Sequence, residues 1–306
     1  MPDVEIICVG GAKFDLNAVV ETFPQPDGRI LIDGFATGIG GQAITAAVAI
    51  ARLGVSVGYC GVVGRDAAGK AIMERLEQEG ISTAWVERRT DAPTSRSTNI
   101  IARTTGTRAI ITERAVTPDL SKVPALRAAW LHFDDVGHPC LAALRRSTAE
   151  RARFSIDGGN PIAGLDLQGI DLYAPTIARL AESYGLDLAP RRLMQKAVED
   201  GAGTVVATDG EAGSYVLSDD SFALVPGFAV EIVSTLGAGD VFHGALLAAI
   251  CLGQSLPEAL RWGNACAALS CRAVDGQSMA PRRNELERFL VQHATSPSRP
   301  SRVATN

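Results

Sequence analysis

No pair of cysteines in this chain shows the CxxC spacing of a zinc or redox site. Cys8, Cys60, Cys140, Cys251, Cys266 and Cys271 are instead scattered through apolar runs, as buried free thiols are, which points to a reducing, cytoplasmic setting. Excess positive charge is also lacking. With 29 Lys and Arg against 34 Asp and Glu, the net charge is −5, so no global pull toward nucleic acid or acidic lipid is expected. A local basic pocket for phosphates stays compatible with that balance. The longest weakly polar stretch, residues 244–253, is far too short to span a bilayer. The first ten residues carry acidic side chains ahead of a short apolar run, unlike a signal peptide. A GxxxxGK[ST] string is missing as well, which argues against a P-loop enzyme.

What is present is the balance of an ordinary globular protein, 46% apolar and 21% charged over 306 residues. Short β-branched runs alternate with helices rich in small residues, the pattern of a layered α/β domain with a largely parallel sheet. Strands are expected at 4–10, 55–63, 130–134, 153–157, 170–173 and 204–208. Helices are expected at 42–53, from an Asp66 cap to Gly80, near 138–152 and at 190–200. Two segments break the alternation: 14–35 and 87–114 are extended and rich in Thr, Arg and Ile. Thr105-Gly106-Thr107 reads as the turn of a β-hairpin. Together these segments are expected to form a small β-sheet lid over a core made of 1–13, 36–86 and 115–294. Residues 295–306 read as a flexible tail.

The most informative string is Ser234-Thr235-Leu236-Gly237-Ala238-Gly239-Asp240, followed by Val241-Phe242-His243-Gly244-Ala245-Leu246. An apolar strand at 229–233 is expected to run into a glycine turn and then a helix of small residues. Free backbone N–H groups at that helix start can face an anion, and Gly237 and Gly239 let the backbone come close to it. Asp240, in the first turn, can take a proton from a hydroxyl held beside the anion. A carboxylate next to an anion hole suits phosphoryl transfer. A generic glycine-rich helix entry, with Asp240 merely near the helix dipole, is the plainer alternative for a shorter string.

This segment resembles the C-terminal signature of PfkB carbohydrate kinases, DTxGAGDxFxGAL. The resemblance implies a ribokinase-like three-layer α/β/α fold, ATP with Mg2+, and phosphorylation of a primary hydroxyl on a sugar or sugar acid. It makes Asp240 the catalytic base and Gly237, Ala238 and Gly239 the anion hole. Gly40-Gly41-Gln42-Ala43-Ile44-Thr45 is similar to the family's N-terminal glycine motif, with Thr45 where Asn is usual. Gly40, Gly41 and Thr45 are thereby assigned to the sugar; a tight strand-to-helix entry explains the glycines equally well. Gly61-Val62-Val63-Gly64-Arg65-Asp66 looks like the GxVGxD segment, in which Asp66 reads as an N-cap. Asp15, beyond the first strand, matches the family's sugar-binding Asp, since a carboxylate can accept from two neighbouring hydroxyls. Thr208, Gly210 and Gly213 resemble the TxGxxG turn that lines the nucleotide, and Asn264 matches the helix near the adenine. Gly210 and Gly213 could equally close a hairpin into 214–217.

Three departures matter. Ser234 replaces the Asp that organises a monovalent cation site in potassium-activated relatives. No NxxE occurs where Tyr173-Ala174-Pro175-Thr176 falls, so no residue is assigned to a metal and Mg2+ is expected to be held by ATP and water. Thr45 and the 240–246 run look closest to sulfofructose kinase-like members, yet only Arg29 offers a basic group for a sulfonate, and a sulfosugar is not assigned. Two further readings stand beside the sugar kinase. A nucleoside kinase on the same fold is disfavoured by few stacking aromatics in the lid segments (Phe14, Phe23, Phe35 and Trp85). A non-catalytic sugar sensor has no need of Asp240. A lid with exposed edges is expected to invite a homodimer, with small molecules rather than nucleic acid or membrane as the other partners.

Overall fold

The structure is a computed structural model that describes residues 3–32, 34–147, 152–185, 187–218 and 221–293. The expected tail lies outside these residues, as does the end of the helix expected over 138–152. In chain order the strands are β1 (Val4–Val9), β2 (Lys13–Val20), β3 (Ala36–Gly40), β4 (Val57–Gly64), β5 (Ser82–Arg89), β6 (Arg96–Ala102), β7 (Arg108–Thr112), β8 (Ala128–Phe133), β9 (Arg153–Gly158), β10 (Leu172–Pro175), β11 (Thr204–Thr208), β12 (Gly213–Ser218) and β13 (Ser221–Pro226). The helices are α1 (Gln42–Arg52), α2 (Ala67–Gln78), α3 (Leu141–Ser147), α4 (Ile177–Tyr184), α5 (Pro190–Glu199), α6 (Ala238–Cys251), α7 (Leu256–Ser270) and α8 (Arg283–Gln292).

Nine strands form one sheet in the order β13-β12-β11-β10-β9-β8-β1-β4-β5. The pairs from β11 to β5 are parallel, while β12 and β13 add antiparallel at one edge. β1 shows why its sequence is apolar throughout. Ile6 and Cys8 face a core built with α1, α2, α6, α7 and α8, while Ile7 and Val9 face a second core with α3, α4 and α5. A parallel strand covered on both faces has no solvent side, so polar alternation is lost. Each fully buried Ile here contributes roughly 1.5–3 kcal/mol, and Ile6→Asp or Ile7→Asp would break one layer contact. Among the described residues no helix is long and apolar enough to cross a membrane, and all six cysteines are free.

Local signals act where the sequence places them. Asp66 caps α2 by accepting from Gly69 N at 2.7 Å, and its other oxygen accepts from Thr94 N at 2.9 Å, tying the helix start to the approach of β6. Thr176 caps α4 through Oγ1, and Gly185 ends that helix at φ 68°. The Thr105-Gly106-Thr107 turn joins β6 to β7, with Ala102 N donating to Thr107 O at 2.9 Å.

A second sheet of four strands runs β3-β2-β6-β7, with β2 and β6 parallel. Its strands come from 13–40 and 96–112, so two expected boundaries shift. Ala36–Gly40, expected in the core segment, is β3 of this small sheet. Glu87–Arg89, expected in the lid segment, completes β5 of the large sheet, where it pairs with Val62–Gly64. The extended, charged composition of 87–89 does not distinguish an edge strand of one sheet from a strand of the other. The strand expected at 229–233 is absent. β13 ends at Pro226, which has no N–H to continue a ladder, and Ile232 and Val233 are 50% and 41% exposed. The N–H groups of Val233 and Ser234 bond to Cys271 O instead.

Candidate active site

The carboxyl ends of the parallel strands open toward the small sheet, where ligands of open α/β sheets bind. A cleft of about 270 Å3 lies there, lined by Gly11, Asp134, Asp157, Thr176 and Thr208 at strand ends, by the α6 start, and by side chains of β2 and β6. Of the residues singled out from sequence, it gathers Asp15, Gly40, Gly41, Thr45, Thr208, Gly237, Gly239 and Asp240.

The turn into α6 is held by three devices. Ser234 is fully buried, and its Oγ accepts from Leu236 N at 3.1 Å. Gly237 adopts φ 73°, and a Cβ there would lie 2.6 Å from Gly276 Cα, so the two loops cross where only glycine fits. Val241 N then donates to Gly237 O at 3.0 Å, closing the first helical bond. The N–H groups of Gly239 and Asp240 donate to no carbonyl among the described residues, as the first turn of a helix requires. Ala238 belongs to the same turn without lining the cleft. Burial, and next the charge of Asp157, push the Asp240 carboxyl above the usual carboxylate range, partly offset by His243 and Arg108. Asp240 therefore holds a proton more tightly than an ordinary carboxylate does.

Asp15, which also lines the cleft, is only 6% exposed. Burial raises its pKa against the hydrogen bonds of Ser97 and Asn99. Asn99 donates to Asn17 Oδ1 at 2.8 Å, while its own buried Oδ1 has no partner. Asn99 lines the cleft beside Asp15. Gly41 precedes α1 at φ 111°, where a Cβ would meet Gly11 O at 2.3 Å. The Thr45 hydroxyl accepts from Gln277 Nε2 at 3.1 Å, so part of its polarity is spent on the 275–280 loop. Asp134, almost fully buried, accepts from the N–H groups of Gly11, Ala43, Val136 and Gly137 and so joins three loops of the cleft floor.

Three predicted nucleotide residues do not line this cleft. Gly210 and Gly213 close the turn of the β11–β12 hairpin, where Asp209 N donates to Gly213 O at 2.9 Å. The Asn264 amide donates to Val225 O and Pro226 O at 2.9 and 3.2 Å, pinning the end of β13. Arg29 is exposed and outside the cleft. The basic groups that do line it are Lys13 and Arg108, which sequence reasoning missed. Arg108 opens β7 and donates to Thr235 Oγ1 at 2.7 Å, so the small sheet reaches the turn into α6. The signal available was Arg108 immediately after the hairpin turn. Ser97 and Asn99 were also missed, although they recur at period two in β6. At the end of β10, Ala174, Pro175 and Thr176 supply no carboxylate, and Thr176 is used as a cap.

Comparison with known proteins places these features in context. A family model described as pfkB family carbohydrate kinase matches residues 4–145 and 165–283. The ribokinase of Bacillus subtilis is 28% identical over 295 residues, covering 93% of this chain and 99% of that protein. An ATP-dependent ribose-1-phosphate kinase of Halopiger xanaduensis is also 28% identical, over 306 residues, covering 94% and 99%. The crystal structure of ribokinase from Thermotoga maritima superposes with a TM-score of 0.82 at 24% identity, covering 94% of this chain and 99% of that one. The shared architecture is thus the ribokinase fold.

Proposed function

Because the chain belongs to the pfkB family of carbohydrate kinases, we propose that its cleft transfers the γ-phosphoryl group of ATP to a primary hydroxyl of a sugar or sugar acid. One observation carries this reading: Asp240 and the unpaired N–H groups of the α6 turn share a cleft with Asp15 and Asn99. Asp15 and Asn99 bind and orient the acceptor through its hydroxyls. Asp240 then takes the proton of the reacting hydroxyl as its oxygen attacks the γ-phosphorus. The Gly237–Gly239 turn receives the negative charge on the transferred group. Thr208, and beyond it Gly210, Gly213 and Asn264, are proposed for the nucleotide side. Backbone donors at the α6 turn fit the phosphates of ATP, whereas β10 offers no carboxylate for a metal. Mg2+ bound with ATP would supply charge compensation on those phosphates, held by them and by water.

Lys13 and Arg108 favour an acceptor that carries an anionic group, as a sugar acid does. The ribose-1-phosphate kinase among the relatives is consistent with that chemistry. The small sheet exposes Leu16, Ile110 and Ile111 at 36%, 47% and 68%, which supports a homodimer through that sheet; sedimentation as a monomer at micromolar concentration would contradict it. The function is tested by ADP release from purified protein across ketoses, aldoses, sugar acids, sugar phosphates and nucleosides. Sugars or their anionic derivatives should lead the panel. A nucleoside as best acceptor overturns the substrate class, and no ADP release with any acceptor returns the chain to the sensor reading.

A further inference from the structure

At the cleft floor, three side chains from three elements converge: His132 on β8, Asp157 on β9 and His243 on α6. They are 0%, 1% and 4% exposed, and one ligand atom of each lies within 4.8 Å of the others. The chain has only four histidines, and two are spent here. Buried polar atoms are normally satisfied. Yet His132 Nε2 and His243 Nε2 lack a hydrogen-bond partner. His243 Nδ1 and Asp157 Oδ2 face each other at 2.8 Å as a buried ion pair. Two unpartnered imidazole nitrogens beside a buried ion pair call for an occupant.

The surroundings resemble the outer shell of a metal site. His132 Nδ1 is 3.0 Å from Ser155 Oγ, which fixes the ring and leaves Nε2 free. Asp157 Oδ1 accepts from Gly159 N at 2.8 Å, which leaves Oδ2 turned toward His243 Nδ1. Partners of this kind orient ligating imidazoles and carboxylates. Ligands bonded to one ion at about 2.0–2.2 Å sit roughly 3 Å apart, close to the spacing of the His243 and Asp157 atoms. Two imidazoles and one carboxylate select a transition ion such as Zn2+ over Mg2+. Asp157 and His243 line the cleft whereas His132 does not, so an ion can enter from the cleft and keep its open position on that side.

We propose that His132, Asp157 and His243 form a binding site for a divalent transition metal ion, distinct from the Mg2+ that accompanies ATP. The site fastens β8 and β9 to α6 one helical turn after Asp240, and it stands independently of the kinase reading. The test uses full-length protein freed of any affinity tag, stripped with a chelator, and titrated with Co2+ and Zn2+. About one equivalent per chain should bind, with visible d–d bands for Co2+ and a rise in thermal midpoint with Zn2+. His132→Gln and His243→Asn should each weaken binding by at least about 100-fold, while His138→Gln, outside the cluster, should bind as the parent does. If His132→Gln fails to fold, His243→Asn and the direct metal count of the parent still decide the matter. A parent that binds less than about a tenth of an equivalent overturns the proposal. So does stoichiometric binding that survives His243→Asn or is lost equally in His138→Gln.

Discussion

Arg52 stands at the end of α1, far from the chemistry, and its replacement by Met should be among the most damaging single changes in the chain. Its Nη1 donates to Gln277 O at 2.6 Å and Ala280 O at 2.7 Å, while Nε and Nη2 meet Glu79 at 3.1 and 2.6 Å. The two side chains are 8% and 5% exposed. Removing one member of such a buried pair costs about 3–5 kcal/mol, because the other charge is left without its partner. Arg75 and Arg282, at 3.7 and 3.6 Å from Glu79, soften that loss, so the lower end, about 3 kcal/mol, is expected. Urea unfolding at neutral pH would read it as a fall in midpoint at unchanged slope. Burial pushes Glu79 up, but its bonds and charge contacts with Arg52, then Arg75 and Arg282, hold it below the usual range. Its stabilisation is therefore present above the unfolded-state pKa and is lost as pH falls through the lowered folded value. On acidification below about pH 4, the parent should lose stability more steeply than Glu79→Gln. The double variant should cost less than the sum of the singles. A loss under about 1 kcal/mol for Arg52→Met, or strict additivity, would refute the reasoning.

Three further outcomes follow from the cleft. Asp15→Asn should raise the acceptor KM by roughly tenfold or more with a smaller effect on the KM for ATP; equal effects on both would remove Asp15 from the sugar side. Since Asp240 sits above the usual carboxylate range, the acid limb of kcat/KM should fall at a pH above that of an ordinary carboxylate, with activity lost as Asp240 is protonated; a limb near pH 4 contradicts this. Ser234 gives a neutral oxygen already engaged with Leu236 N, so the initial rate should change little with KCl at constant ionic strength, and a several-fold rise would show that other ligands build a cation site.

Much of this arrangement was legible because its causes are local. Gly237 is needed where two loops cross, Asp66 because a helix start leaves N–H groups open, and β1 is apolar because both faces are covered. What escaped depends on tertiary placement. Arg108 and Lys13 read as ordinary charges until the small sheet folds over the strand ends. His132, Asp157 and His243 are separated by 25 and 86 residues, and no spacing rule links one strand, the next strand and a distant helix. Residues 229–233 misled in the opposite sense, since an apolar run was read as a strand although Pro226 had already ended the ladder. Asn264 lies outside the cleft with its amide donated to Val225 O and Pro226 O, a contact with β13 that the sequence alone does not show.

The central claim is that Asp240 takes the acceptor's proton beside an anion hole made of backbone. Steady-state kinetics of Asp240→Asn with the best acceptor from the panel test it most directly, with acceptor and ATP binding measured alongside by calorimetry. The account predicts binding within a few-fold of the parent and kcat lower by roughly 100-fold or more, the loss expected when general-base help is removed. Turnover near that of the parent, with binding intact, would contradict it.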